Sequence, residues 1–144
     1  MTPRNVHRPL VDQALVVEHL TKRYGDDTVV DDLSFTVEPG RVTGFLGPNG
    51  SGKSTTMKMM LDLARPDRGT ATIDGHRYRD LPNPARTVGA MIESDAFHPG
   101  RSGRNHLRIL TDATGIPRRR VNAALEEVGL TDAADRHVGS YSLG

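Results

Sequence analysis

The residues from Gly47 to Ser54 have the types and spacing to do chemistry. Gly47-Pro48-Asn49-Gly50-Ser51-Gly52-Lys53-Ser54 fits the pattern G-x-x-x-x-G-K-[ST]. Glycines let successive backbone N–H groups turn inward and form an anion-binding concavity without side-chain clash. A helix starting near Lys53 points the positive end of its dipole at the same anion. The Lys53 ammonium then reaches the β- and γ-phosphates of a nucleoside triphosphate, and the Ser54 hydroxyl ligates Mg²⁺. N–H groups from Asn49 through Gly50, Ser51, Gly52 and on to Thr55 complete the cradle. Four further residues carry candidate chemistry. Tyr24 offers a flat ring, and stacking on a nucleobase is worth ~1–3 kcal/mol. Glu93 places a carboxylate at the end of the apolar stretch Val88 to Ile92. Ser142 and Gly144 offer a hydroxyl and a backbone N–H at a predicted helix start, a fair phosphate cap.

These groups need elements to hold them. Ala14-Leu15-Val16-Val17 and Leu33-Ser34-Phe35-Thr36-Val37 read as short strands joined through a turn around Gly25-Asp26-Asp27. Arg41 to Leu46 reads as a buried strand entering the glycine loop. The helix after the loop carries Met57, Met60, Leu61 and Ala64 at i, i+3, i+4, i+7, and Arg65-Pro66-Asp67-Arg68-Gly69 stops it. Thr70 to Asp74 and Val88 to Ile92 are two more expected strands. Beyond a loop rich in glycine and proline, Leu107, Leu110 and Ala113 mark one helix ending near Gly115. Pro117 then suits a first turn, and Val121, Ala124, Leu125 and Val128 mark a second helix before Gly129. The expected organisation is a tail over 1–13, an α/β nucleotide-binding core over 14–92 and a helical subdomain over 93–144.

The 144 residues suit one domain of ordinary size, and 35% hydrophobic content can build a core. Nineteen basic residues against eighteen acidic leave +1, so no global field argues for nucleic acid. With no cysteine, disulfide frameworks and thiolate metal sites are excluded. The longest apolar run, about five residues at Val88 to Ile92, is far short of the ~20 that a membrane-spanning helix needs. The composition therefore reads as that of a soluble, cytoplasmic chain. Six arginines and one aspartate between Arg101 and Arg120 give a local +5, which could face nucleic acid or an acidic lipid surface but is read as a solvated helix face.

Four stretches in order resemble the ATP-binding cassette (ABC) ATPases that drive ABC transporters. Leu20-Thr21-Lys22-Arg23-Tyr24-Gly25 is similar to the segment whose aromatic ring stacks on adenine. Gly47 to Thr55 is very close to the family's phosphate loop. Gly69-Thr70-Ala71-Thr72-Ile73-Asp74-Gly75 resembles the strand and turn after the first helix. Ser140-Tyr141-Ser142-Leu143-Gly144 looks like the opening of the signature motif, in the variant of drug- and antibiotic-export ATPases. The resemblance implies a P-loop NTPase of ABC type, an α/β fold with a small antiparallel β subdomain and a partial helical subdomain. It implies ATP and Mg²⁺ as cofactors, with Tyr24 at adenine and Ser54 and Glu93 at the metal. It further implies that Ser142 and Gly144 contact ATP held by a second ATP-binding subunit. The expected setting is the inner face of the membrane, beside a transmembrane permease that exports a small molecule or peptide; no nucleic acid is expected as a partner.

The chain departs from the family pattern in two places. Glu93 stands where a glutamine is usual, and its charge strengthens cation affinity while repelling phosphate. Leu143 replaces the more usual glycine. In the family the Walker B aspartate, the catalytic glutamate and the switch histidine follow the signature, so no catalytic residue is expected within these 144. The chain as written is expected to bind Mg-ATP weakly or not at all and not to turn it over. Two other readings stand beside this one. One is a compact P-loop kinase or GTPase using Glu93, 40 residues after Lys53, as its metal-side acid. The other is a non-transport ABC ATPase acting on nucleic acid or ribosomes.

Overall fold

A computed structural model describes residues 14–92 and 97–142, which form two compact units divided after Pro84. The expected tail over 1–13, Glu93 and the pair Leu143 and Gly144 lie outside the described residues.

The first unit is built on a long hairpin. Strand β1 (Leu15–Tyr24) turns through Gly25 and Asp26 into β2 (Asp27–Val37), as the turn residues lead one to expect. Strand β3 (Arg68–Ile73) adds to the free edge of β1, giving an antiparallel sheet in the order β2-β1-β3. Strict alternation would bury Val17 and His19 on one face. Instead Val17 and Leu20 are the buried pair, because the register slips between them and His19 takes the left-handed conformation at φ 50°. On β2, Asp32 does the same at φ 47°, so that Val30 and Leu33 both turn to the core. Each bulge inserts one residue and leaves ladder groups unpaired. Side chains satisfy them: the Ser34 hydroxyl accepts from the His19 N–H at 2.8 Å and the Thr21 hydroxyl from the Asp32 N–H at 3.1 Å.

Helix α1 (Lys53–Met60) packs Met59 onto Val17, Leu20 and Val30. Of the stripe expected at Met57, Met60, Leu61 and Ala64, Met60 and Ala64 pack against this core, while the deepest positions are Thr56 and Met59. The helix also ends sooner than that stripe. Asp62 adopts φ 56°, and the Leu63 N–H donates to the Lys58 carbonyl at 2.8 Å while the Asp62 N–H donates to Met59 at 3.1 Å. This is a Schellman ending with aspartate where glycine is usual. The same Asp62 carboxylate accepts from the Arg79 backbone at 2.9 Å and its guanidinium at 2.6 Å.

Two expected strands are not formed. Residues 41–46 and 88–92 carry no strand pairing among the described residues, and Val42, Leu46 and Met91 are almost wholly exposed. A strand buried within a sheet needs a hydrogen-bonding neighbour on each side, and the described sheet consists of β1, β2 and β3 alone.

A short helix α2 (Pro84–Thr87) lies at the division. In the second unit, α3 (Gly103–Thr114) is capped by the Ser102 hydroxyl, which accepts from the Asn105 N–H. It closes at Gly115 with φ 66°, where the sequence places its end. Helix α4 (Arg119–Glu127) buries Val121 and Leu125 against Ala134, with Leu107 of α3 alongside. Pro117 precedes the first turn instead of sitting in it, its carbonyl accepting from Arg120. Of the α3 stripe only Leu107 packs inward, since Leu110 is 48% exposed and the buried positions are Gly103 and Thr111. Thr111 satisfies its hydroxyl on the Arg108 carbonyl at 2.8 Å, which lets a polar residue replace the expected apolar one. Val128, the last of the α4 stripe, is exposed beyond the helix.

Candidate functional site

The glycine loop folds onto the start of α1 as a tight arch. Gly50 and Gly52 both sit at φ 82°, a conformation that reverses the chain and that L side chains rarely adopt. The Ser51 N–H donates to the Pro48 carbonyl at 3.3 Å, closing the turn. A Cβ at Gly47 would come within 2.6 Å of the Ser51 hydroxyl oxygen, so a side chain there would have to displace that hydroxyl. Gly52, buried, lies against Val29 and Val30 of β2, and so moors the loop to the sheet.

Lys53 turns back along the arch. Its ammonium donates to the carbonyls of Gly47 and Pro48, both at 2.6 Å. The cation is therefore held at the loop by charge-assisted hydrogen bonds before any anion is engaged. Thr56 ties the helix to the loop from within, its N–H and hydroxyl both donating to the Gly52 carbonyl at 2.8 and 2.9 Å. The sequence reading missed this buried threonine, for which no local pattern gives a signal. Ser54 is exposed, and its hydroxyl has no partner among the described residues. No side chain caps α1, and its first turn holds no acidic residue.

This arrangement fits a polyphosphate. The open N-terminus of α1 supplies orphan N–H donors and the positive dipole end, while Gly50, with nothing within 4 Å of a notional Cβ, leaves the outer face of the loop clear. A free serine hydroxyl beside a lysine ammonium suits a phosphate-bound Mg²⁺, because a hard cation takes oxygen ligands.

The other expected site residues lie on separate elements. Tyr24 ends β1 at the hairpin turn and is 54% exposed. The Lys22 ammonium lies 5.2 Å from its ring centroid and 3.3 Å from the Asp67 carboxylate. The Arg23 N–H donates to the same carboxylate at 2.6 Å and, with Lys22, holds it below the usual carboxylate range. Lys22 was not singled out in the sequence, although residues two apart on a strand share a face. Asn49 is exposed on the loop and Thr55 half-buried in α1. Ser142 belongs to the second unit, exposed just after the 3₁₀ turn Val138–Ser140. Glu93 and Gly144 fall outside the described residues. The compact kinase or GTPase reading needs a strand ending at Glu93, and the absence of a strand over 88–92 removes its support. In the arginine-rich stretch, Arg104 is engaged by Asp135 and Arg118 by Asp112, while Arg119 and Arg120 are exposed on α4.

Comparison with known proteins adds to this geometry. A family described as ABC transporter matches residues 30–144. A bacitracin transport ATP-binding protein of Enterococcus faecalis is 38% identical over 137 residues, covering 94% of this chain and 44% of that protein. A Nod factor export ATP-binding protein I of Ralstonia nicotianae is 41% identical over 140 residues, covering 90% and 42% respectively. A solved structure titled as the ATP-binding subunit of an ABC transporter superposes with a TM-score of 0.71 at 31% identity, covering 89% of this chain and 55% of that one. The chain spans less than half the length of the curated relatives it matches.

Proposed function

The chain belongs to the ABC transporter family, and on that premise we propose that it is the ATP-binding portion of an export ATPase. The observation that carries the reading is the loop from Gly47 to Ser54, moored on β2 by Gly52 and opening on the uncapped start of α1, with Lys53 held beside it. Lys53 pairs with the β- and γ-phosphates, and the N–H groups from Asn49 to Thr55 bond their oxygens. The Ser54 hydroxyl faces Mg²⁺, with Glu93 as a second oxygen donor. Tyr24 stacks on adenine, and the nearby Lys22 ammonium keeps the ring's surroundings cationic. When bound, ATP supplies the phosphoanhydride whose cleavage drives transport.

Ser142 and the Gly144 N–H serve the nucleotide of a second ATP-binding subunit, so two subunits enclose each ATP. A transmembrane permease at the inner face of the membrane receives the motion and exports a small molecule or peptide. The drug and antibiotic character rests on the signature variant and on relatives named for bacitracin transport and Nod factor export. The test is calorimetric titration of Mg-ATP into the natural full-length protein with and without Lys53→Ala. Both Lys53 contacts are to its own loop, so the fold survives while at least one charge-assisted contact to phosphate is lost. Such a contact is worth about 1.5–3 kcal/mol, or roughly 10- to 150-fold in Kd. Unchanged affinity would overturn the assignment.

A further inference from the structure

The backbone leading to Ser142 is latched to the start of α3, and nothing in the site described so far uses that latch. Ser102 and His137 form an antiparallel bridge. Around it the Arg104 N–H donates to the Ala134 carbonyl and the Val138 N–H to the Arg101 carbonyl, both at 2.8 Å, and the Gly139 N–H donates to Pro99 at 3.2 Å. The Arg104 guanidinium grips the Asp135 carboxylate at 2.9 and 3.2 Å. Tyr141 closes the latch. Its hydroxyl donates to the Ala133 carbonyl at 2.6 Å, and its N–H donates to the Val138 carbonyl at 3.0 Å.

The Tyr141 ring needs Gly103. A Cβ at Gly103 would stand 2.6 Å from the phenol oxygen and 3.4 Å from the ring carbon Cζ. Gly103 lies in the first turn of α3 and is buried, so it is kept small by the ring and not by backbone demand. Tyr141 itself is extended, φ −79° and ψ 145°, and the next residue is Ser142.

We propose that Tyr141 is a positioning residue for Ser142. This rests on the reading that Ser142 meets a phosphate of the second subunit's nucleotide. Held at its N–H and at its hydroxyl, residue 141 fixes where the chain delivers the serine. A misplacement of about 1 Å at such a contact costs on the order of a hundredfold in rate.

The experiment uses the natural full-length protein with its second ATP-binding subunit. Tyr141→Phe removes the hydroxyl but strands no acceptor, because the Ala133 carbonyl keeps the Arg136 N–H at 3.0 Å. Turnover and ATP-driven subunit association should fall about tenfold, with the ATP affinity of the single subunit unchanged. Gly103→Ala should cost more, on the order of a hundredfold. The double variant should return to the level of Tyr141→Phe, because phenylalanine lacks the oxygen that the new Cβ meets and leaves the ring carbon at 3.4 Å and the Ala134 carbonyl oxygen at 3.5 Å, both near ordinary contact. A purely structural role would instead lower single-subunit ATP affinity and thermal midpoint together with turnover and leave the two changes additive, which overturns the proposal. Should Gly103→Ala fail to fold, Tyr141→Phe and the double variant still decide. Ser142→Ala separates the two ideas. If it leaves turnover and association intact, the reading of Ser142 fails. If it lowers them while Tyr141→Phe and Gly103→Ala do not, the positioning role alone fails.

Discussion

Gly50 and Gly52 allow a controlled experiment, because they share φ 82° and differ in what surrounds them. Alanine in the left-handed region costs about 1–2 kcal/mol. The methyl also restricts the unfolded chain, returning about 0.4–1 kcal/mol. Gly50 has nothing within 4 Å of a notional Cβ, so Gly50→Ala should destabilise by the difference, roughly 1 kcal/mol. At Gly52 the same methyl overlaps the Val29 carbonyl oxygen and comes within 2.9 Å of Val30 Cγ2. The neighbouring Val30 is paired with Lys22 in the ladder and buried in the core, so the strand has little freedom to yield. Forcing an extra methyl into a packed site costs about 1–3 kcal/mol, which brings Gly52→Ala to roughly 2–4 kcal/mol. Equilibrium urea unfolding of the two variants, compared at equal slope, reads the difference directly. Equal losses would show that the loop is not moored on β2 and refute the reasoning, as would a larger loss at Gly50.

Three further outcomes follow from the same structure. Tyr24→Ala should weaken ATP and GTP alike by about 1–3 kcal/mol, since stacking tolerates any base; competition binding with both nucleotides checks this, and a loss confined to one would reveal an edge-reading contact. Asp62, its carboxyl bonded by Arg79, has a pKa below the ordinary 3.8, so the unfolded chain holds more protons between the two values. Stability is full above pH 3.8 and declines as pH falls through the folded-state value; Asp62→Asn, which tolerates φ 56°, should flatten that part of the decline in acid unfolding curves, and superimposable curves would contradict the role of the pair. Leu20, wholly buried where β1 bulges, should cost about 2–5 kcal/mol as Leu20→Ala in thermal or urea unfolding, and a loss under about 1 kcal/mol would mean the bulge does not set the core.

The hairpin and the glycine loop were legible because their signals are local. Gly25-Asp26 can only turn, and Gly47 to Ser54 carries its backbone demands in its own residues. The expected strands at 41–46 and 88–92 were not, since an apolar run states what it would bury and not which edge it pairs with. Helix α1 was legible in type but only partly in phase, since Met60 and Ala64 reach the core while Thr56 and Met59 are buried deepest. Its methionine-rich sequence offers several apolar stripes, and Asp62 ended it in a conformation that composition assigns to glycine. The contact of Gly103 with Tyr141 joins residues 38 apart, and neither residue type announces it.

The middle strand of the sheet slips register against both neighbours over one stretch, from Val17 to Leu20 on the β2 side and from Glu18 to Thr21 on the β3 side. Its amide protons therefore fall into two kinetic classes. Those of Leu15 to Val17 sit in regular pairing on both flanks and exchange with solvent deuterium only when the hairpin opens as a whole. The His19 proton is held by the Ser34 hydroxyl and exchanges on local rotation of that side chain. Exchange in β1 should therefore start at its irregular C-terminal half, from His19 onward, and reach Leu15 to Val17 last.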